Sequence, residues 1–279
     1  MTLPQLTSLV LELHPQRAYD QVEPIGRAVH ALALEAISAA DPALAAAVHD
    51  RQGPKPFTVS GLMGLHFREV TPEQTGVVRL TALNEAVSGA FSRAADAGGP
   101  WAPGQTLSLA NTAWEIAAVH QAERGHTWAA STTYEALSAP WLLGRRPVER
   151  QIRLQFSSPT TFKSNDLHLP VPLPGMVWGS LLDRWNAFAP VALPPEVRRF
   201  AEACLALSRY ELRTGMVPVK AGGLRTGAVG WAEYTAVRGD PHWLGMIQLL
   251  ADFALFSGVG AGTGMGLGQT RRQSAGARG

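Results

Sequence analysis

Three side chains able to move protons or hold an anion stand near the start of the sequence: His30, His49 and Lys55. Imidazole gains and loses a proton near neutral pH, so two histidines can serve one reaction as base and acid. A lysine beside them can stabilise developing negative charge. Local elements have to place all three. Ile25, Val29, Leu32 and Ile37 recur as one helical stripe that begins at Pro24 and ends near Ala39. Asp41-Pro42 then reads as an N-cap followed by proline at the first helical position, opening a second helix that runs to about His49. Gly53-Pro54 breaks it. If the two helices form an antiparallel hairpin turning near Ala40, His30 and His49 both stand roughly 14 Å from the turn at ~1.5 Å per residue. They can then face one substrate group together, with Lys55 looping back after the break. The competing readings are plain: His30 as a polar residue on a helix face, and His49 as a helix C-terminal histidine favoured by the macrodipole. The other six histidines, His14, His66, His120, His126, His168 and His242, fall at strand ends, in loops or beside prolines, and read as surface residues.

The second chemical feature is Ser257-Gly-Val-Gly-Ala-Gly-Thr-Gly-Met-Gly-Leu-Gly268, with glycine at every second position from Gly258 through Gly260, Gly262, Gly264 and Gly266 to Gly268. All the spacings are even, so no window gives the dinucleotide pattern G-x-G-x-x-G, and Gln269-Thr270 stands where a phosphate-binding loop needs Lys-Ser/Thr. A nucleotide-dependent enzyme is therefore disfavoured. Two physical uses stay open. Glycine lets backbone N–H groups approach a phosphate closely, with Arg271 and Arg272 next in line to add charge. Equally, glycine lets this segment pack tightly against a neighbouring element.

Composition bounds the rest. The 279 residues are 46% hydrophobic and 16% charged, with mean hydropathy +0.01, which describes a chain able to bury a large core. Net charge is +2 and the sequence pI is near 8.9, short of the marked excess of a strongly basic nucleic-acid domain. Lysine occurs only at Lys55, Lys163 and Lys220, so arginine carries most of the positive charge. Arginine forks onto phosphates and stacks on bases; a GC-rich coding sequence gives the same bias. Cys204 has no partner for an internal disulfide and reads as a small buried residue. No cysteine and histidine set has zinc-site spacing, and no metal or other cofactor is expected. No signal peptide or membrane span is apparent, so the expected location is the cytoplasm, with no membrane partner.

Further elements follow from periodicity. Strands are expected at Thr7–Leu13, Phe57–Met63, Val77–Leu83, Leu107–Leu109 and Trp114–His120, with a helix from Asn84 to about Ala95. A boundary fits Leu143-Gly-Arg-Arg-Pro147. Beyond it, strands are expected at Arg150–Phe156, Ser208–Arg213 and Gly227–Val237, and helices at Met176–Phe188, Glu196–Leu207 and Pro241–Ser257. Both halves thus run strand, helix, strand, strand, helix, strand, with extra helix in each. This is the order of an α+β fold made of two tandem ferredoxin-like (RRM-like) domains. The expected spans are 1–144 for an N-terminal domain with the histidines, 145–272 for a C-terminal domain with the glycine segment, and 273–279 for a disordered tail.

At this point a family resemblance becomes specific. The segment Phe253-Ala-Leu-Phe-Ser-Gly-Val-Gly-Ala-Gly-Thr-Gly-Met-Gly-Leu-Gly-Gln269 resembles the glycine-rich loop of the CRISPR-associated endoribonucleases that process precursor crRNA, the sixth Cas family of the RAMP superfamily. Lys55-Pro-Phe-Thr-Val-Ser60, Phe156-Ser-Ser-Pro-Thr-Thr-Phe162 and Leu181-Leu-Asp-Arg-Trp-Asn186 resemble it too, in family order over almost the whole chain. The resemblance implies tandem ferredoxin-like domains. It also implies metal-independent cleavage of repeat RNA by attack of a ribose 2′-OH, leaving a 2′,3′-cyclic phosphate and a 5′-OH. The family's catalytic histidine carries over onto His49 and a basic catalytic position onto Lys55; His30 matches a histidine found in some members. RNA contacts are expected from Arg150, Arg153, Lys163, Arg213, Lys220, Arg225, Arg271 and the six glycines. Expected partners are repeat RNA or crRNA, other Cas proteins and a second copy of the chain. The alternative from another class is a non-catalytic RNA-binding subunit of a CRISPR effector complex on the same fold.

Overall fold

The computed structural model describes residues 4–65, 68–165, 167–218 and 223–273. The chain divides into two compact units, one made of residues 1–132 with 264–266 and the other of residues 133–263 with 267–279.

In the first unit the elements are β1 (Leu6–Pro15), β2 (Tyr19–Gln21), α1 (Gly26–Ala40), α2 (Pro42–Asp50), β3 (Phe57–Val59), β4 (Arg68–Val70), β5 (Gly76–Ala82), α3 (Glu85–Ala95), β6 (Thr106–Leu109), β7 (Thr112–His120) and β8 (Ala130–Thr132). The main sheet is antiparallel in the order β3-β5-β1-β7-β6, with β8 also pairing β1. Strands β1, β3, β5 and β7 with helices α1 and α3 make the ferredoxin-like β-α-β-β-α-β unit. Leu9, Leu11 and Leu13 of β1 share an apolar core with Val78 and Leu80 of β5, Val29, Ala33 and Ile37 of α1, and Val87 and Phe91 of α3. The period of two on the strands and of 3.6 on the helices sets which residues meet there. Asp41 starts α2 as the sequence predicts: its carboxylate accepts from the amides of Ala43 and Leu44 at 2.9 and 3.1 Å, with Pro42 next in the chain.

The second unit contains α4 (Tyr134–Leu142), β9 (Gln151–Thr160), β10 (Phe162–Ser164), β11 (Leu167–Leu169), α5 (Pro174–Phe188), α6 (Glu196–Cys204), β12 (Leu205–Pro218), β13 (Leu224–Ala236), α7 (Pro241–Ser257) and β14 (Thr270–Gln273). Its sheet order, β12-β13-β9-β14, is the same ferredoxin-like permutation. Leu154 and Phe156 of β9, Trp178 and Leu181 of α5, Tyr234 of β13 and Ile247, Leu250 and Phe253 of α7 are fully buried. The polar ends of the large rings are satisfied: Trp178 Nε1 donates to the Ile247 carbonyl at 3.0 Å and the Tyr234 hydroxyl to that of Pro172 at 2.7 Å.

Several expectations need adjusting. The unit boundary falls after Thr132, earlier than Gly144, because an unforeseen helix, α4, packs with the second unit. Tyr134 meets Trp185 edge-on at 5.1 Å, and Trp141 Nε1 donates to Asp252 at 2.8 Å. Pro140 inside α4 masks its helical pattern. Helix α6 ends at Cys204, and the chain passes straight into the long strand β12 at Leu205; Cys204 is half-buried. Gln273 belongs to β14, paired with Arg153, where a tail was expected from 273 onward; residues 274–279 of that tail lie outside the described residues.

Removing the Asp41 carboxylate leaves two amides at the start of α2 without their acceptor. Asp41→Ala is expected to cost about 1 kcal/mol of stability, read as a lower urea midpoint at unchanged m-value. An unchanged midpoint contradicts the capping role.

Candidate active site

Helices α1 and α2 pack side by side in the first unit, and both bear their histidine away from the Asp41 turn. His30 is half-buried in the second turn of α1, its ring 5.2 Å from that of Phe57. Its Nδ1 lies 2.7 Å from the Gly264 carbonyl oxygen. A carbonyl can only accept, so Nδ1 carries the hydrogen. Burial lowers the His30 pKa from its ordinary value; the Gly264 hydrogen bond raises it less, and the charges of Lys55 and His49 lower it further. The ring is therefore neutral at neutral pH, and in this tautomer Nε2 holds a lone pair able to take a proton. His49 is exposed in the last turn of α2. The charges of both Lys55 and His49 act on the His30 imidazole.

Lys55 has a second occupation. Its ammonium donates to the carbonyls of Val48, His49 and Arg51 at 2.8, 2.7 and 2.7 Å. These oxygens end α2, so Lys55 caps the helix that carries His49.

The glycine segment is the third component. Gly258, Gly260, Gly262, Gly266 and Gly268 have φ of 60°, 80°, 79°, 92° and 67°, values that L-residues rarely adopt. Gly264 is the exception, inside a 3₁₀ turn at Thr263–Met265. Amides of Gly258, Val259, Gly260, Ala261, Leu267 and Gly268 all donate within the protein, to Ala254, Gly268, Ser180 Oγ, Thr161, Gly262 and Pro159 respectively. Gly258, Gly260 and Gly268 are buried, while Gly262, Gly264 and Gly266 are half-buried. The ends of the loop are thus backbone-packed anchors. Its middle is what reaches solvent, and the Gly264 carbonyl there orients His30.

The family model described as the CRISPR Cas6 N-terminal domain matches residues 4–139, and that of the CRISPR-associated endoribonuclease Cas6 matches 154–270. The chain belongs to the Cas6 family. A CRISPR-associated endoribonuclease Cas6 of Mycobacterium tuberculosis is 32% identical over 129 residues, 46% of this chain and 40% of that protein. The match thus spans less than half the length of that curated relative. A Cas6 product complex superposes with a TM-score of 0.77 at 29% identity, covering 96% of this chain and 99% of that one. Thermus thermophilus Cas6 superposes with a TM-score of 0.73 at 26% identity, covering 98% and 100%.

The Cas6-like segment Leu181–Asn186 holds the residue that sequence reasoning passed over. Arg184 of α5 donates from Nη2 to the Gly260 carbonyl at 2.5 Å and to Thr263 Oγ1 at 3.2 Å, and from Nη1 to Ser180 Oγ at 2.5 Å. Burial lowers its pKa to about 10, with Asp183 opposing, so it remains charged while it pins the glycine loop. The available signal was an arginine set between Leu181, Leu182 and Trp185 on a buried helix face.

The expected RNA contacts of this Cas6 chain separate into two groups. Arg153 is ion-paired with Glu233 at 2.8 Å and lies 4.2 Å over the Trp231 ring; Arg150 donates to the carbonyls of Ala236 and Val237. Arg271 Nε donates to Gln155 Oε1 at 2.9 Å within the sheet. Arg272, which was expected to add charge beside the loop, is ion-paired with Glu149 and Asp252. Those four are engaged in holding the second unit together. Lys163 and Arg213, in contrast, are exposed on β10 and β12, and Arg225 is half-buried on β13 with its guanidinium near Gly262. Lys220 lies outside the described residues.

The loop geometry separates two glycines sharply. At Gly260 a methyl would strike the Thr161 carbonyl in a positive-φ conformation, whereas at Gly264 it would meet the His30 ring at 3.7 Å, an ordinary contact. Gly260→Ala is expected to lose more than about 1 kcal/mol, and Gly264→Ala to stay within about 0.5 kcal/mol of the parent. Thermal melts of both variants check this; equal losses would contradict the loop geometry.

Proposed function

We propose that this chain cleaves CRISPR repeat RNA in precursor transcripts without a metal, by attack of a ribose 2′-OH on the adjacent phosphate. The observation that carries the reading is the hydrogen bond from His30 Nδ1 to Gly264, which leaves Nε2 with a lone pair able to take a proton. His30 Nε2 takes the proton of the 2′-OH as the oxygen bonds to phosphorus. The bond from phosphorus to the 5′ oxygen breaks, and His49 gives that oxygen its proton. The products are a 2′,3′-cyclic phosphate and a 5′-OH, and electrons and protons balance with no further reagent. Lys55 holds the His49 helix end in place and adds positive charge toward the phosphorane. Family membership supports RNA as the substrate, since the similar structures include a Cas6 product complex and a Cas6 substrate mimic complex. Other Cas proteins and a second copy of the chain complete the proposed set of partners, with action in the cytoplasm.

The test is single-turnover cleavage of the repeat RNA of the protein's own locus in excess EDTA. Cutting is expected to persist there, and to stop when the nucleotide 5′ to the cut lacks its 2′-OH. Loss of cutting in EDTA sinks the metal-independent mechanism. RNA binding with no cleavage under any condition favours the non-catalytic subunit. His30→Ala and His49→Ala are each expected to slow cleavage about 10²- to 10⁴-fold with RNA affinity nearly unchanged. Because His30 must be neutral to act as base and its pKa is lowered, the rate should rise with pH along an acid limb centred below the ordinary histidine value of about 6.5. A limb centred above that value rules out His30 as the base.

A further inference from the structure

Thr263 immediately precedes Gly264 in the chain, and the cleavage scheme gives it no part. It opens the 3₁₀ turn Thr263–Met265 and is buried, with 7% of its surface exposed. Both branches of its side chain are held. The hydroxyl oxygen accepts from Arg184 Nη2 at 3.2 Å. The methyl sits in the neck of the loop: a methyl added at Gly258 or at Gly268 would come within 3.0 or 2.9 Å of it. A β-branched side chain has few χ1 rotamers, so holding both branches also holds the backbone that bears them.

The residue that grips the hydroxyl is itself gripped. Arg184 Nη1 donates to the Ser180 hydroxyl at 2.5 Å and to the Ser180 carbonyl at 3.2 Å, one turn back along α5. Arg184 Nη2 also donates to the Gly260 carbonyl at 2.5 Å, and Ser180 Oγ accepts from the Gly260 amide at 2.9 Å. Ser180 and Arg184, four apart on one helix face, therefore take both polar groups of Gly260 and the hydroxyl of Thr263. These acceptors are neutral, so Arg184 contributes its fork of donors here rather than an ion pair.

Gly264 has no side chain with which to fix its own carbonyl, and glycine has the widest choice of φ and ψ of any residue. The aim of that oxygen has to come from its neighbours. We propose that Thr263, locked by Arg184 and Ser180, is a positioning residue for the cleavage: it aims the Gly264 carbonyl and so keeps His30 in the tautomer with Nδ1 protonated. The inference rests on the ribonuclease reading for the use made of His30, and on the contacts of Thr263 for the rest. Neither Thr263 nor Arg184 has to touch RNA for it to hold. Two substitutions separate the branches of the side chain. Thr263→Val keeps the shape and removes the hydroxyl, whereas Thr263→Ser keeps the hydroxyl and removes the methyl.

The experiment uses the full chain labelled with ¹⁵N at histidine. The His30 ring nitrogens, assigned by their absence in His30→Ala, report at pH 8 which of the two bears hydrogen. Single-turnover cleavage of the locus's repeat RNA is measured on the same proteins, and affinity by anisotropy with that RNA blocked by a 2′-deoxy nucleotide at the cut. Wild type is expected to show Nδ1–H. Thr263→Val is expected to show both tautomers and to cleave about 10- to 100-fold more slowly at saturating protein, with RNA affinity unchanged, since a misplacement of about 1 Å costs that much. Thr263→Ser is expected to keep the wild-type tautomer and most of the rate. Arg184→Lys keeps the charge without the fork and is expected to behave as Thr263→Val does, which gives a second reading of the lock if Thr263→Val does not fold. A single Nδ1–H tautomer in either folded variant overturns the proposal. RNA affinity that falls as far as the rate in Thr263→Val also overturns it, by making that side chain part of the RNA surface. A shifted tautomer with an unchanged cleavage rate leaves the positioning role standing and removes His30 as the base.

Discussion

The hydrogen bond between His30 and the Gly264 carbonyl is the constraint on which the site depends. A free histidine exchanges its proton between two nitrogens and turns about its side-chain bonds. One acceptor at Nδ1 ends both freedoms, fixing the tautomer and aiming Nε2. The acceptor is a backbone oxygen from a residue 234 positions away, so its place depends on how the glycine segment is held. Gly26, one turn before His30, shows how close the approach is: a methyl there would strike the Met265 carbonyl. Small residues on α1 and on the loop are what bring the carbonyl within reach of the imidazole.

Holding a loop in that shape needs anchors at its ends. Five glycines adopt positive φ, a conformation that costs most other residues about 1 kcal/mol or more each. Arg184 fastens Gly260 and Thr263, and the buried amides at either end find protein acceptors. Lys55 does comparable work for His49, since its ammonium closes the carbonyl end of α2. Its capping role and its proposed charge toward the substrate are compatible, because donating to neutral carbonyls does not cancel the positive field of an ammonium.

Much of the fold was legible because its elements obey local rules. Asp41-Pro42 starts α2, the Ile25 to Ile37 stripe lies along α1, leucine and β-branched residues mark β1, and alternation marks β9. The pieces that escaped are those whose reason is tertiary. Helix α4 contains a proline and is placed by its contacts with Trp185 and Asp252. Strand β14 is four polar residues that pair only because β9 offers an edge. Hairpin β10–β11 has three residues to a strand, too short to show a period. Arg79 is buried in the middle of β5 over the Trp128 ring, where composition rules expect an apolar residue.

The site was legible to a different depth at each residue. Helix geometry, at ~1.5 Å per residue on either side of one turn, is what suggested pairing His30 with His49. It could not supply the tautomer, since Gly264 enters only through the folded loop. The basic residues were the least legible, because charge type does not reveal partner. Arg153 and Lys163 look alike in sequence, yet one is neutralised by Glu233 across a strand and the other opposes a histidine. The even spacing of the glycines likewise admitted a phosphate cradle along its whole length. Buried amides at both ends contract that to Gly262, Gly264 and Gly266, and Gly262 is the one that Arg225 flanks.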